Sequence, residues 1–111
     1  MLDGLHIDVL FMSASGVHPT VGLTDQGFSE ARVQNQMRQL ASRTVVLADS
    51  GKFGKASLVK ICALGEVNMI VTDSGLDKAM EDAVRETGVE LVVVPWDQAA
   101  GKMLVFPGAS C

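Results

Sequence analysis

Four strand-length apolar runs, at residues 7–12, 44–48, 68–72 and 90–94, recur along the chain, and their order constrains the fold more than any other feature. Ile7-Asp8-Val9-Leu10-Phe11-Met12 closes on the small residues Ser13-Ala14-Ser15-Gly16. Thr44-Val45-Val46-Leu47-Ala48 closes on Asp49-Ser50-Gly51-Lys52, Asn68-Met69-Ile70-Val71-Thr72 on Asp73-Ser74, and Glu90-Leu91-Val92-Val93-Val94 on Pro95. Between the first two runs, Phe28, Ala31, Val33, Met37 and Leu40 recur at helical spacing behind a possible cap at Thr24 or Asp25. Between the last two, Leu76, Met80, Ala83 and Val84 share a helical face behind Asp73 or Ser74 as cap, and Gly88 suits the position just past the helix end. Runs that are apolar on both faces are buried on both faces, and their alternation with amphipathic helices predicts an α/β fold: a layered, mainly parallel sheet with helices on both faces. Residues 57–63 read as a short strand or a helical turn, and 103–106 as a possible edge strand.

A chain of 111 residues suits a single domain, and 48% hydrophobic with 20% charged residues is ordinary globular composition. The formal net charge is −4, and the nine Lys and Arg are scattered rather than gathered into a stripe. Neutralising a phosphate backbone needs such a stripe, so the reading excludes nucleic-acid contact by this chain. The beginning of the chain carries Asp3, His6 and Asp8 and lacks a secretory pattern, and no apolar run approaches the roughly 20 residues of a spanning helix. Cys62 lies in an apolar run and reads as a small buried hydrophobe, while Cys111 is the last residue. One internal free thiol suits a reducing, cytoplasmic setting, and no membrane contact is expected.

Ligands of open α/β sheets bind beyond the carboxyl ends of the strands. The loops at Ser13-Ala14-Ser15-Gly16, Asp49-Ser50-Gly51-Lys52 and Thr72-Asp73-Ser74-Gly75 are therefore the places to look. Their small residues expose backbone N–H groups, and Lys52 adds a cation, which suits an anionic, hydroxyl-rich ligand. Each loop alone is also what helix caps and tight turns require, and Thr72-Asp73-Ser74 reads as a cap. Glu30 falls in the first turns of its helix, where a carboxylate favours the N-terminal dipole by about 0.3–1 kcal/mol. It could equally face the cleft. Two distant His and no paired Cys give no metal-ligand spacing, and Gly51-Lys52-Phe53-Gly54-Lys55 lacks the spacing of a phosphate-binding loop. No cofactor and no catalytic residue is assigned.

Taken in order, Phe11-Met12-Ser13-Ala14-Ser15-Gly16-Val17, Gly22-Leu23-Thr24, Glu30-Ala31-Arg32-Val33, Leu47-Ala48-Asp49-Ser50-Gly51-Lys52-Phe53-Gly54 and Ile70-Val71-Thr72-Asp73 resemble the sensor domain of DeoR-type transcriptional repressors. The Ala-Asp-Ser-x-Lys-Phe-Gly segment is the most specific part. The resemblance implies a fold related to ribose-5-phosphate isomerase, glucosamine-6-phosphate deaminase and the CoA-transferases. It implies a phosphorylated sugar or related metabolite as effector, and DNA binding by a separate N-terminal helix-turn-helix domain that this chain lacks. Residues 1–111 then form the C-terminal part of the effector-sensing domain, the first half of which is expected to be missing.

The resemblance also bears on catalysis. In the isomerases Glu30 corresponds to the catalytic base and Lys52 to a lysine in a similar loop. However, those enzymes have Asp-Gly-Ala-Asp-Glu where this chain has Met12-Ser13-Ala14-Ser15-Gly16, and their Lys-Gly-Gly-Gly-Gly run is absent. Without those aspartates the groups that manage proton movement between adjacent oxygens are missing. The expected activity is therefore sensing, with Ser13, Ser15, Gly22, Thr24, Glu30, Asp49 and Lys52 as ligand contacts. A degenerate sugar-phosphate isomerase or deaminase and an oligomerisation-only domain are the alternatives. Uncovered sheet surface at the missing half predicts a homo-oligomer.

Overall fold

The computed structural model describes residues 4–97 and 102–103. Strand β1 (Ile7–Ser13) leads through a small β-hairpin, β2 (Gly16–His18) and β3 (Gly22–Asp25), into helix α1 (Phe28–Leu40). Strand β4 (Ala41–Leu47) follows without a loop, then a 3₁₀ turn at Ser50–Lys52 and strand β5 (Val59–Cys62). Strand β6 (Met69–Asp73), helix α2 (Lys78–Arg85), β7 (Glu90–Val94) and a two-residue ladder of β8 (Trp96–Asp97) with β9 (Lys102–Met103) follow among the described residues.

The main sheet is β1-β4-β6-β7, and all three of its pairings are parallel. All three crossovers step in the same direction across that order. Right-handed crossovers of this kind put every connection on one face. Both helices accordingly bury residues in one core, Ala31 of α1 and Val84 of α2 joining Leu10, Met12, Val46, Ile70 and Leu91 from the sheet. The α/β class and the parallel sheet are as the sequence predicts. The two described helices share a face, whereas helices on both faces were expected; on the other face Val9, Phe11 and Leu47 are exposed.

A second, three-stranded sheet, β2-β3-β5, is antiparallel and packs beside α1. Residues 16–25 carry no strand signal in the sequence, because three- and four-residue strands are too short to show a period. Residues 57–63 resolve as the strand β5 rather than a helical turn. The possible edge strand at 103–106 lies outside the described residues except for Met103 in β9.

Both expected caps are displaced. The cap position of α1 is Gly27, which makes no side-chain cap bond, and that of α2 is Asp77, whose carboxylate accepts the Met80 N–H at 2.8 Å. Asp25 and Asp73 are instead drawn into contacts between loops. Within α1 the apolar stripe is only partly used: Ala31 is buried and Met37 packs on the core, but Phe28 and Val33 are exposed. Gly88 just beyond α2 has φ +95°, as the helix-end reading anticipates. No helix among the described residues is long and apolar enough to cross a membrane.

Candidate functional site

Because β1, β4 and β6 run parallel, the loops that follow them emerge at one edge of the sheet. Ser13 ends β1 and is paired in register with Leu47 at the end of β4, so the Ser13–Gly16 loop and the Asp49–Lys52 turn start side by side. The turn then follows β2: Phe53 bridges Val17 in parallel, and the Gly54 N–H donates to the Val17 carbonyl at 2.8 Å. Lys52 therefore precedes a residue held against the strand that Gly16 begins. Its side chain is exposed and joins none of the ion pairs among the described residues.

The hydroxyl-bearing loop is built from its own contacts. The Ser15 N–H donates to the Thr24 carbonyl at 2.9 Å, and its hydroxyl donates to the Asp25 carboxylate at 3.1 Å. Asp25 also accepts the Gln26 N–H at 2.7 Å. From α1, Gln34 donates its amide to the Ser13 carbonyl at 3.0 Å, which brings one face of that helix against the end of β1. Glu30 lies one turn earlier on the same face. It is exposed, and its carboxylate folds back over Gly27, so closely that a Cβ on Gly27 would collide with it. That is a helix-start position, where the free N–H groups favour a carboxylate.

Asp49 caps the following turn by accepting the Gly51 N–H at 2.8 Å while remaining exposed. The third loop does not open as a cleft wall. Asp73 is buried and accepts N–H groups from Ser50 and Gly75, both at 2.8 Å, so it locks the β4 and β6 loops together. Burial pushes its pKa up, but the hydrogen bonds from Ser50 and Gly75 outweigh burial and hold it below the ordinary carboxylate value.

Of the seven residues picked from the sequence, Ser13, Ser15, Glu30, Asp49 and Lys52 gather along this edge. Thr24 and Gly22 do not open onto it, which corrects that part of the expectation. Thr24 is 1% exposed; its hydroxyl accepts the Ser57 N–H at 2.8 Å and donates toward the Gly16 carbonyl at 3.5 Å. Gly22 is buried at the opposite end of β3, with φ +108° and no room for a side chain against the Cys62 carbonyl. Sequence reasoning missed the Ser15–Asp25 bond, which depends on a hairpin too short to recognise, and the Gln34 bond to Ser13, which joins residues 21 apart. It also missed the Ser50–Asp73 clasp, which joins residues 23 apart in the chain.

An open groove of about 660 Å³ lies elsewhere, between α1 and β5, lined by Phe28, Arg32, Val33, Val59 and Lys60 among others. It contains none of the residues at the sheet edge. Volume alone therefore does not mark the place where the polar groups converge.

Residues 1–74 match the DeoR C terminal sensor domain family. An aga operon transcriptional repressor of Escherichia coli O157:H7 is 32% identical over 93 residues, covering 84% of this chain and 35% of that protein. The HTH-type transcriptional regulator GlpR of Haloferax volcanii is 30% identical over 91 residues, 82% of this chain and 36% of the relative. The HTH-type transcriptional regulator IolR of Bacillus subtilis is 36% identical over 77 residues, 69% and 31% respectively. The chain thus spans about a third of the length of these relatives.

Proposed function

The chain belongs to the DeoR C-terminal sensor domain family, and on that premise we propose that it senses a phosphorylated sugar or related metabolite on behalf of a DNA-binding transcription regulator. It is a regulator-family domain rather than an enzyme, in keeping with relatives that carry the names of transcription regulators. The helix-turn-helix that reads DNA is assigned to a separate N-terminal domain, outside residues 1–111, which constitute the C-terminal part of the sensing domain.

The observation that carries the effector reading is the juxtaposition of the Ser13–Gly16 loop with the Asp49–Lys52 turn at the carboxyl edge of two adjacent parallel strands. Lys52 supplies a mobile ammonium for an anionic group. Ser13 and Ser15 offer hydroxyls, and Glu30 and Asp49 accept from sugar hydroxyls. Thr24 and Gly22 hold the hairpin behind this edge without touching the ligand. Gln34 holds the Ser13 carbonyl in place through its side-chain amide N–H.

Thermal denaturation of the chain with a panel of pentose and hexose phosphates tests the reading. A ligand present at a hundred times its dissociation constant stabilises the native state by about 2.7 kcal/mol, a shift of several degrees for a domain this small. Free sugars and inorganic phosphate serve as controls. Absence of any shift, or an equal shift from inorganic phosphate alone, would refute the effector assignment. The same site chemistry is compatible with assembly into a homo-oligomer, which we also propose and which sedimentation of the chain checks.

A further inference from the structure

We propose that the buried hydroxyl of Thr24 sets the span between the Ser13–Gly16 loop and the Asp49–Lys52 turn, and through it the length of sugar phosphate that the chain accepts. Resting on the effector reading above, this makes Thr24 a positioning residue that acts on specificity from behind the site. Thr24 follows Leu23 in β3, and neighbours in a strand point to opposite faces. Both are nonetheless buried, Leu23 at 0% and Thr24 at 1% exposed. Leu23 belongs to the hydrophobic core, whereas the Thr24 side is closed by the segment that follows Lys52.

Two separate pieces of chain meet on this one hydroxyl. It accepts the Ser57 N–H at 2.8 Å and donates toward the Gly16 carbonyl at 3.5 Å. Gly16 has no room for a side chain there, since a Cβ would lie 2.5 Å from both the Thr24 hydroxyl and the Lys55 carbonyl. Residues 24 and 25 hold the loop before Gly16, with the Ser15 N–H on the Thr24 carbonyl at 2.9 Å and the Ser15 hydroxyl on Asp25 at 3.1 Å. The chain beyond Lys52 is held at Val17, which Phe53 bridges and whose carbonyl accepts the Gly54 N–H, and again at Thr24 through Ser57. Those two points fix Lys52 relative to Ser15.

Valine has the shape of threonine but no acceptor. In Thr24→Val the Ser57 N–H would be left without its partner, which is costly for a buried donor, so the segment shifts to find water. A fitted pocket separates ligands that differ by one methylene by roughly 10–200-fold. Such discrimination needs contacts held to within about 0.5 Å. A loosened span therefore lowers selectivity between pentose and hexose phosphates as well as affinity, whereas a uniform loss of stability lowers the affinity for both alike.

Amide hydrogen exchange and calorimetry of the chain and its Thr24→Val and Thr24→Ser variants, with the pentose and hexose phosphates above, test the assignment. In Thr24→Val, exchange is expected to quicken about tenfold at Ser15 and Gly54, amides on either side of the hydroxyl that do not bond to it. Affinity for the preferred sugar phosphate should fall about tenfold, and the preference between pentose and hexose phosphates should narrow to within about threefold. Thr24→Ser, which keeps the hydroxyl, should restore both. If Thr24→Val does not fold, Ser57→Pro, which removes the donor from the other side, carries the same expectations. Faster exchange confined to Ser57, a parent without a preference, or an affinity loss that leaves the preference unchanged overturns the role of Thr24 and leaves the effector reading standing. A parent that binds no member of the panel overturns both.

Discussion

The Asp73 carboxylate accepts the backbone N–H of Ser50 at 2.8 Å, and this bond ties the loop after β6 to the loop after β4 at the carboxyl edge of the main sheet. A second bond, from the Gly75 N–H at 2.8 Å, completes the clasp. Asp73→Ala leaves two donors without their acceptor, at a cost of about 1–3 kcal/mol if they stay buried. The denaturation midpoint of the variant should fall accordingly, and effector affinity should weaken because the Asp49–Lys52 turn loses its anchor. A variant of parental stability would show that water replaces the carboxylate.

The same residue gives a dependence on pH. The folded pKa of Asp73 lies below its ordinary value, because hydrogen bonds outweigh the effect of burial. A depressed carboxylate contributes stability that is fully present above the unfolded pKa of about 3.9 and is lost as pH falls through the folded value. Denaturant midpoints should therefore decline below about pH 4, and less steeply in Asp73→Asn than in the parent. Parallel pH profiles for the two proteins would assign the acid loss to other carboxylates.

Gly22→Ala tests the hairpin. The position has φ +108°, and a Cβ there would run into the Cys62 carbonyl. Left-handed backbone alone costs an L-residue about 1–2 kcal/mol, and the clash adds to it. Urea denaturation should show a loss of at least that size. A loss under about 0.5 kcal/mol would mean that β3 shifts freely against β5.

Lys52→Met tests the effector site. Lys52 is exposed and unpaired among the described residues, so folding should be nearly unaffected. A lost charged hydrogen bond should weaken sugar-phosphate binding about ten- to a hundred-fold by calorimetry. An effector affinity within about twofold of the parent would make Lys52 an ordinary solvated lysine and displace the site from this turn.

DNA binding offers a separate check. With a net charge of −4 and no basic stripe, the chain should show no sequence-dependent affinity for duplex DNA in anisotropy titrations at physiological salt. Sub-micromolar, sequence-dependent binding would contradict the assignment of DNA contact to a separate domain.

Period and punctuation made the main sheet legible in the sequence. Four apolar runs gave the four parallel strands to within a few residues at each end, and the loops after them marked the carboxyl edge. Gly88 signalled the end of α2, and the Ala48–Gly54 segment pointed to the family. These features are local: a buried strand needs a run of apolar residues, and a helix end tolerates left-handed backbone best at glycine. The rest depended on contacts between distant segments. Asp25 and Asp73 have the composition of helix caps, yet the hairpin and the Ser50 loop offered them other donors. Thr24 looks like a ligand contact until Ser57 folds over it. Phe28 and Val33 lie on a helical stripe, but helical spacing cannot say whether another segment arrives to cover them. One-directional crossovers settled which face of the sheet both helices occupy and left Val9, Phe11 and Leu47 exposed on the other. The sequence carries the propensity of each segment; which donors, acceptors and apolar faces find partners is decided only when the segments pack.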